Sequence, residues 1–498
     1  MKSLHIYIIL IVLGVGFSCS GILDIEPDGV ISGDIYTDAE SIEKALTGAY
    51  YNFTGISDGN GGGELVGGDF IMIPTLLARL GDQEIFWSTV QAPAYSDFIN
   101  KNILETNLRV KQNWQRAYET INTVNNILAN LNNIESVADR SRIEGEARAI
   151  RGILYFEMIR LWAPQADAPG VNAASQTAIP LITEPIVSID DISAKPELAT
   201  IDAVYAQAET DLTSASGLLE PLGTNGTRLS YYACQAYLAR MSMQLSDFGA
   251  AFNYANTVIS SGAYDLADTP LEAFNNSVNG SEDIFAVQQT LANNTGDRSS
   301  GGGITTFHSS LAESGLGIFV VLSSSFNSSF MINAPNFSAN DLRASVDLSV
   351  TSSSSSSDID AAFYKNLYNN FDELISPAKY LRTDHVLPVV RLAEMYLIRA
   401  EASNEISGLN AQAVEDLNMI RTRAGISAVQ LTDFANLDQF WDSVRLERNR
   451  ELLHEGQLLH DLKRWGGEIG SLFDAIDAWD DELVLPIPRA EQDAWNDE

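Results

Sequence analysis

Five histidines, two cysteines and 66 acidic residues are what this chain offers for chemistry. His454 and Glu455 begin as a zinc-protease helix does, but the next histidine, His460, is six residues on rather than four. A step of six turns it about 120° around a helix of 3.6 residues per turn, so the two rings do not face one metal. His5, His308 and His385 stand elsewhere in the sequence. There is no Walker loop and no Cys-Cys-His zinc set, and no cofactor or metal is expected. A glycosidase needs two carboxylates facing each other across a sugar, about 5–10 Å apart, a relation that sequence alone does not display.

The cysteines speak to anchoring and packing. Met1-Lys2 and an apolar run from Ile6 to Phe17 make a signal-peptide pattern, too short to span roughly 30 Å of hydrocarbon. Ser18-Cys19 follows, and a small residue directly before a cysteine resembles a bacterial lipobox. Gly16 departs from the usual Leu three places before it. Cys19 is therefore the expected site of lipid attachment, with residues 1–18 as the signal peptide. Acylation by more than one chain would hold the protein stably on a bilayer. Cys234 then has no partner, and its helical setting reads as a small buried hydrophobe.

The elements that must position any site are mostly helices. Thr37-Asp38-Ala39-Glu40 reads as a capping box opening the first. Ser141 to Trp162 forms the second, with Glu144 and Arg148 as an i,i+4 pair and Tyr155, Phe156 and Trp162 in the core. Trp114 and Tyr118 read as another core helix face. Arg228–Gln244 with Asp247–Ile259, and Arg391–Asn404 with Ala411–Ala424, are two helical hairpins like tetratricopeptide units, the latter stopped by Gly425. Trp441 to Trp465 is dense in charge, and Gly456 argues against one unbroken helix there. From about Asn275 to Asp358 the chain is rich in Ser, Asn and Gly, a loop texture of the kind that carries binding surfaces. The net charge of −36 argues against a nucleic-acid ligand, since phosphate binding needs basic surface.

These motifs, taken in order, resemble the SusD/RagB family of lipoproteins. Leu23-Asp24-Ile25-Glu26-Pro27 looks like its segment after the cysteine, and Gly145 to Arg151 with Arg160-Leu161-Trp162 like its long central helix. Asn279 to Phe285 resembles its strand entry, and Pro388 to Met395 with Ala400-Glu401-Ala402 its later hairpin. The most specific piece is Glu447-Arg448, Arg450-Glu451-Leu452, Glu455-Gly456, Asp461-Leu462 and Arg464-Trp465-Gly466. Leu485-Pro486-Ile487-Pro488 closes the series, although the Asn-Pro usual after it is missing.

The resemblance implies a mainly α fold: tetratricopeptide-type helix pairs, a loop-rich lobe and a few short strands. The expected division is 19–274 and 387–498 as helical regions, with 275–386 as the loop lobe. It further implies a non-enzymatic lipoprotein on the outer face of the outer membrane. Such a protein would capture oligosaccharide and pass it to a SusC-like, TonB-dependent transporter. A peptide ligand is the alternative, and a surface glycoside hydrolase a more distant one. Arg448, Glu451 and Glu455 are expected to hold helices together rather than bind ligand.

Sugar rings present apolar C–H faces that pack flat on aromatic rings. Aromatics that no scaffold motif claims gather after the Gly-rich stretch, and in the family the ligand-facing loops come partly from there. Phe70, Phe86, Trp87 and Tyr95 are the ligand-binding candidates, with Phe98 beside them and Asp82 and Asn100 as hydrogen-bonding groups. Phe307, Phe319 and Phe326 form a second cluster in the Ser-rich lobe.

Overall fold

The computed structural model describes residues 35–56, 63–78, 93–187, 196–224, 226–296, 303–309, 321–322, 337–338, 340–350, 363–366, 374–469 and 475–496. The fold is mainly helical, as expected. Helix α1 (Ala39–Phe53) is capped one residue later than Thr37: the Asp38 side chain accepts from Ser41 N at 2.8 Å, and Ser41 Oγ accepts from Asp38 N. Asp38-x-x-Ser41 satisfies the same reciprocal geometry as Thr37-x-x-Glu40, and aspartate caps at least as well as threonine. Helices α2 (Asp69–Ala78) and α3 (Pro93–Ile99) are short; α4 (Leu108–Ala129) and α5 (Val137–Trp162) are long and lie against each other.

From Ile143 onward α5 is buried around most of its circumference. It therefore lacks one polar stripe, as a helix at the centre of a large core should. Tyr155, Phe156 and Trp162 sit in that core, and Glu144 pairs with Arg148 at 2.8 Å. Helix α6 (Ile201–Leu218) packs along α5, joined to it by Arg151, which donates to both oxygens of buried Asp211 at 2.8 Å. Strands β1 (Thr177–Pro180) and β2 (Leu198–Thr200) pair in the connection.

Both hairpins form. The first is α7 (Tyr231–Gln244) with α8 (Phe248–Ser260). After the loop-rich stretch come α10 (Leu392–Ser407) and α11 (Ala411–Arg423), with the short α9 (Ile304–His308) between the hairpins. Although the hairpins are far apart in sequence, α8 packs directly on α10, and Arg399 donates to Asn256 across that contact at 2.7 Å. The intervening chain leaves through β3 (Asp283–Val287) and returns through β8 (Leu387–Arg391), which pair antiparallel. Within the excursion β4 (Val321–Leu322), β5 (Ala344–Val350), β6 (Phe363–Asn366) and β7 (Leu374–Pro377) form a sheet in the order β4-β7-β6-β5. The charged stretch near the C-terminus is two helices, α12 (Leu437–Leu452) and α13 (Leu458–Trp465), with the break at Gly456. Strands β9 (Glu468–Ile469) and β10 (Ile476–Asp477) and helix α14 (Arg489–Asn496) follow. Among the described residues no helix is long and apolar enough to cross a membrane.

Candidate functional site

The Gly-rich segment of the N-terminal region meets the loop lobe in close contact. A Cβ at Gly63 would lie 2.6 Å from Gly303 Cα, and one at Gly303 would lie 2.2 Å from the Thr295 carbonyl oxygen. Both residues have positive φ, 78° and 88°. Any side chain would have to push two backbones apart, so glycine here serves close packing rather than flexibility. Thr295 is fully buried, and its N–H and hydroxyl both donate to Gln289 Oε1 at 2.9 and 3.0 Å.

Immediately after this junction the chain enters α2, whose first residue carries the site's charge. Asp69 Oδ1 accepts from the Tyr95 hydroxyl at 2.8 Å, and Oδ2 from Arg109 Nε at 2.7 Å and from Asn113 Nδ2. Asn113 Oδ1 in turn accepts from Leu65 N at 2.9 Å. Asn107, the cap of α4, donates to the Ala94 carbonyl and to Asp97, each at 2.7 Å. Together these bonds clamp α2 and α3, the two stems of residues 79–92, onto α4. Asp69 is fully buried; burial raises its pKa against the pull of Arg109, and burial likewise raises the Tyr95 hydroxyl far above its ordinary value.

The sequence candidates fall on this stem and in what it holds. Phe70 and Tyr95 are 4% and 3% exposed, in the same core, so neither offers an open ring face in this structure. Phe98 is fully buried as well, and Asn100 is exposed. Phe86, Trp87 and Asp82 lie outside the described residues, as do Phe319, Phe326 and Cys19. What sequence reasoning missed is the supporting shell of Asp69, Arg109 and Asn113. Arg109 and Asn113, one turn apart on α4, were the available signal.

The nucleophile inventory stays inert. Gly55-Ile56-Ser57-Asp58-Gly59 has the spacing of a nucleophile elbow. That elbow needs a strand before it, and here Gly55 follows the end of α1. Cys234 is buried, which pushes its thiol up to about 12. His308 donates through Nδ1 to the Ile304 carbonyl at 2.9 Å, leaving Nε2 to accept from His454 Nδ1 at 3.1 Å. Burial lowers the His308 pKa to about 4, so the ring is neutral near pH 7. Among the described residues no three His, Cys, Asp or Glu side chains form a metal-holding group.

A model described as "SusD family" matches residues 372–496, and one described as "Starch-binding associating with outer membrane" matches residues 80–243. Together they cover more than half of the chain. The chain belongs to the SusD family. SusD-like protein P25 of Formosa agariphila is 24% identical over 514 residues, covering 94% of this chain and 90% of that protein. A SusD superfamily protein from Bacteroides thetaiotaomicron shares the fold with a TM-score of 0.73 at 21% identity, over 92% of this chain and 98% of its own. A SusD-like carbohydrate binding protein from Bacteroides vulgatus does so with a TM-score of 0.69 at 19% identity, over 92% and 97%.

In this SusD-family chain the matched motif residues form a buried ion lattice. Glu451 accepts from Arg391 at 2.7 Å and from Arg423, and stands 3.6 Å from Arg343. Arg391 also bonds Glu455 at 2.8 Å and Glu282 at 3.1 Å, while Arg343 reaches Glu447 and Asp341, each at 2.7 Å. The lattice therefore joins the loop lobe, β3, β8, α11 and α12. Its three surrounding guanidiniums hold the Glu451 carboxyl far below the usual range despite burial. A neighbouring chain links Arg240 to Glu394, Arg448 to Asp461, and Arg464 to Asp461 and Glu401.

Proposed function

We propose that this protein is a lipid-anchored outer-membrane lipoprotein that captures oligosaccharides and delivers them to a SusC-like, TonB-dependent transporter. It is a binding protein and not an enzyme in this reading. One observation carries it: the family model described as starch-binding and outer-membrane-associated begins at residue 80 and so spans Phe86 and Trp87. The buried stem supports it, since a ring that stacks on sugar contributes most when its loop is positioned in advance. The inert histidines and thiol fit binding better than turnover.

The test is calorimetric binding of an oligosaccharide panel to the intact chain and to Trp87→Ala. Stacking of one ring is worth on the order of 1–2 kcal/mol, so the variant should lose about tenfold or more in affinity with its melting temperature nearly unchanged. Release of new reducing ends would overturn the non-enzymatic reading, and binding of peptides alone would overturn the glycan. Cys19→Ala should move the protein out of the membrane fraction. Gentle detergent extraction should recover it with a large barrel protein.

A further inference from the structure

The first described residues enter the body beside an open groove. Ile35 is 48% exposed while Tyr36 is 1% exposed, and the Tyr36 carbonyl accepts from Asn133 Nδ2 just before α5 begins. The first turns of α5, the end of α6 and the segment up to Leu229 enclose a groove of about 560 Å³. Its apolar lining is Leu218, Leu219, Leu222 and Leu229, and Leu222 is 45% exposed. Arg142 and Arg228 are its basic side chains. Each is fixed by Glu43 of α1, at 2.7 and 2.6 Å, and by buried Glu146, at 2.9 and 3.3 Å. Both guanidiniums remain a third or more exposed, so they keep donors for a further carboxylate. Asp139 and Glu220 also line the groove and would repel one.

The sequence that leads into Ile35 has the matching pattern. Residues 20–34 would serve a free tether best if they were polar, yet they hold Ile22, Leu23, Ile25, Val30 and Ile31. Acidic Asp24 and Glu26 alternate with Leu23 and Ile25. Between Pro27 and Ile35 lie seven residues, 28–34, which reach roughly 25 Å when extended.

We propose that this groove is the seat of the chain's own segment Ile22–Pro27, with Leu23 and Ile25 on the leucine floor and Asp24 and Glu26 toward Arg142 and Arg228. The docking itself does not need the anchor. Given the lipid at Cys19 proposed above, it leaves two residues, Ser20 and Gly21, between the acylated cysteine and the docked segment, about 10 Å. It thereby fixes which end of the molecule faces the bilayer.

Hydrogen exchange on the full chain tests this. Leu23→Asp with Ile25→Asp should make amides at 138–142, 219–224 and 226–229 exchange at least about tenfold faster, with the melting temperature nearly unchanged. Leu222→Asp, at a half-exposed position, should do the same from the groove side. In a Cys19→Ala background, Ile25→Cys with Leu222→Cys should close a disulfide under mild oxidation. Unchanged exchange at these amides in the segment variant, or acceleration confined to other regions, overturns the proposal. Retention of Cys19→Ala in membranes overturns the anchor instead and leaves the exchange result standing.

Discussion

The lattice around Glu451 and the cluster around Asp69 are both buried, both acidic at the centre and both held by arginine, yet they do different work. Glu451 lies among Arg343, Arg391 and Arg423, contributed by the loop lobe, β8 and α11, so several segments close on one charge. Asp69 gathers one arginine, one tyrosine and one asparagine from neighbouring helices, and what it fixes is local: α2 and α3, on either side of residues 79–92. A multi-segment lattice sets whether the chain folds. A local clamp sets how α2 and α3 sit on α4. The contrast also orders the expected sizes of perturbation.

The lattice should break hardest. Glu451→Ala leaves three guanidiniums facing a buried void, and removing one partner of a buried ionic network costs about 3–5 kcal/mol. Denaturant unfolding should show a loss of that size, together with proteolytic sensitivity in the loop lobe. A loss below about 1 kcal/mol would mean that the lattice does not bind these segments together.

A pH dependence sharpens the same region. Asp283 on β3 is buried, one carboxylate oxygen is without a hydrogen bond, and burial raises its pKa to about 7 from 3.8. The folded state therefore holds this proton more tightly than the unfolded state. The resulting stability is complete below about pH 4 and is lost as pH rises through 7. At about 1.4 kcal/mol per pKa unit the swing is at most about 4 kcal/mol. Asp283→Asn should match the parent near pH 4 and exceed it in melting temperature at pH 8. Parallel curves at all pH values would refute the assignment.

The glycine junction comes next. Gly63→Ala should cost about 1–3 kcal/mol, because the new methyl meets backbone on both sides and the residue holds positive φ. Gly170 also has positive φ, 84°, but nothing lies within 4 Å of its Cβ position, so Gly170→Ala should cost only about 1 kcal/mol. The difference between the two measures the close approach itself.

Legibility in the sequence follows the same division. The lattice was readable because motifs such as Arg450-Glu451-Leu452 and Glu455-Gly456 resemble those of a known family, and the hairpins because of their apolar period, with Gly425 closing the second. The stacking of α8 on α10 was not readable, since nothing local encodes contact across more than 100 residues. Nor was the burial of Phe70 and Tyr95. An aromatic after a Gly-rich loop looks the same in sequence whether its ring faces water or a neighbouring helix. Tyr95 is settled by Asp69 and Arg109, 26 residues before it and 14 after it.

Tyr95 is therefore where the smallest and most informative change lies. Tyr95→Phe keeps the ring in its pocket and removes one hydrogen bond to a buried carboxylate, which still has Arg109 and Asn113. A bond to a charged acceptor is worth about 1.5–3 kcal/mol, and the remaining donors reduce the expected cost to about 1–2 kcal/mol. If the hydroxyl serves only stability, unfolding shifts by that amount and oligosaccharide affinity does not change. If it also positions residues 79–92, affinity falls several-fold at temperatures where the fold is intact, although Tyr95 is 3% exposed. Unchanged affinity in Tyr95→Phe beside a large loss in Trp87→Ala would show that Trp87 binds without help from the clamp. Parallel losses would make Asp69 the organiser of the site.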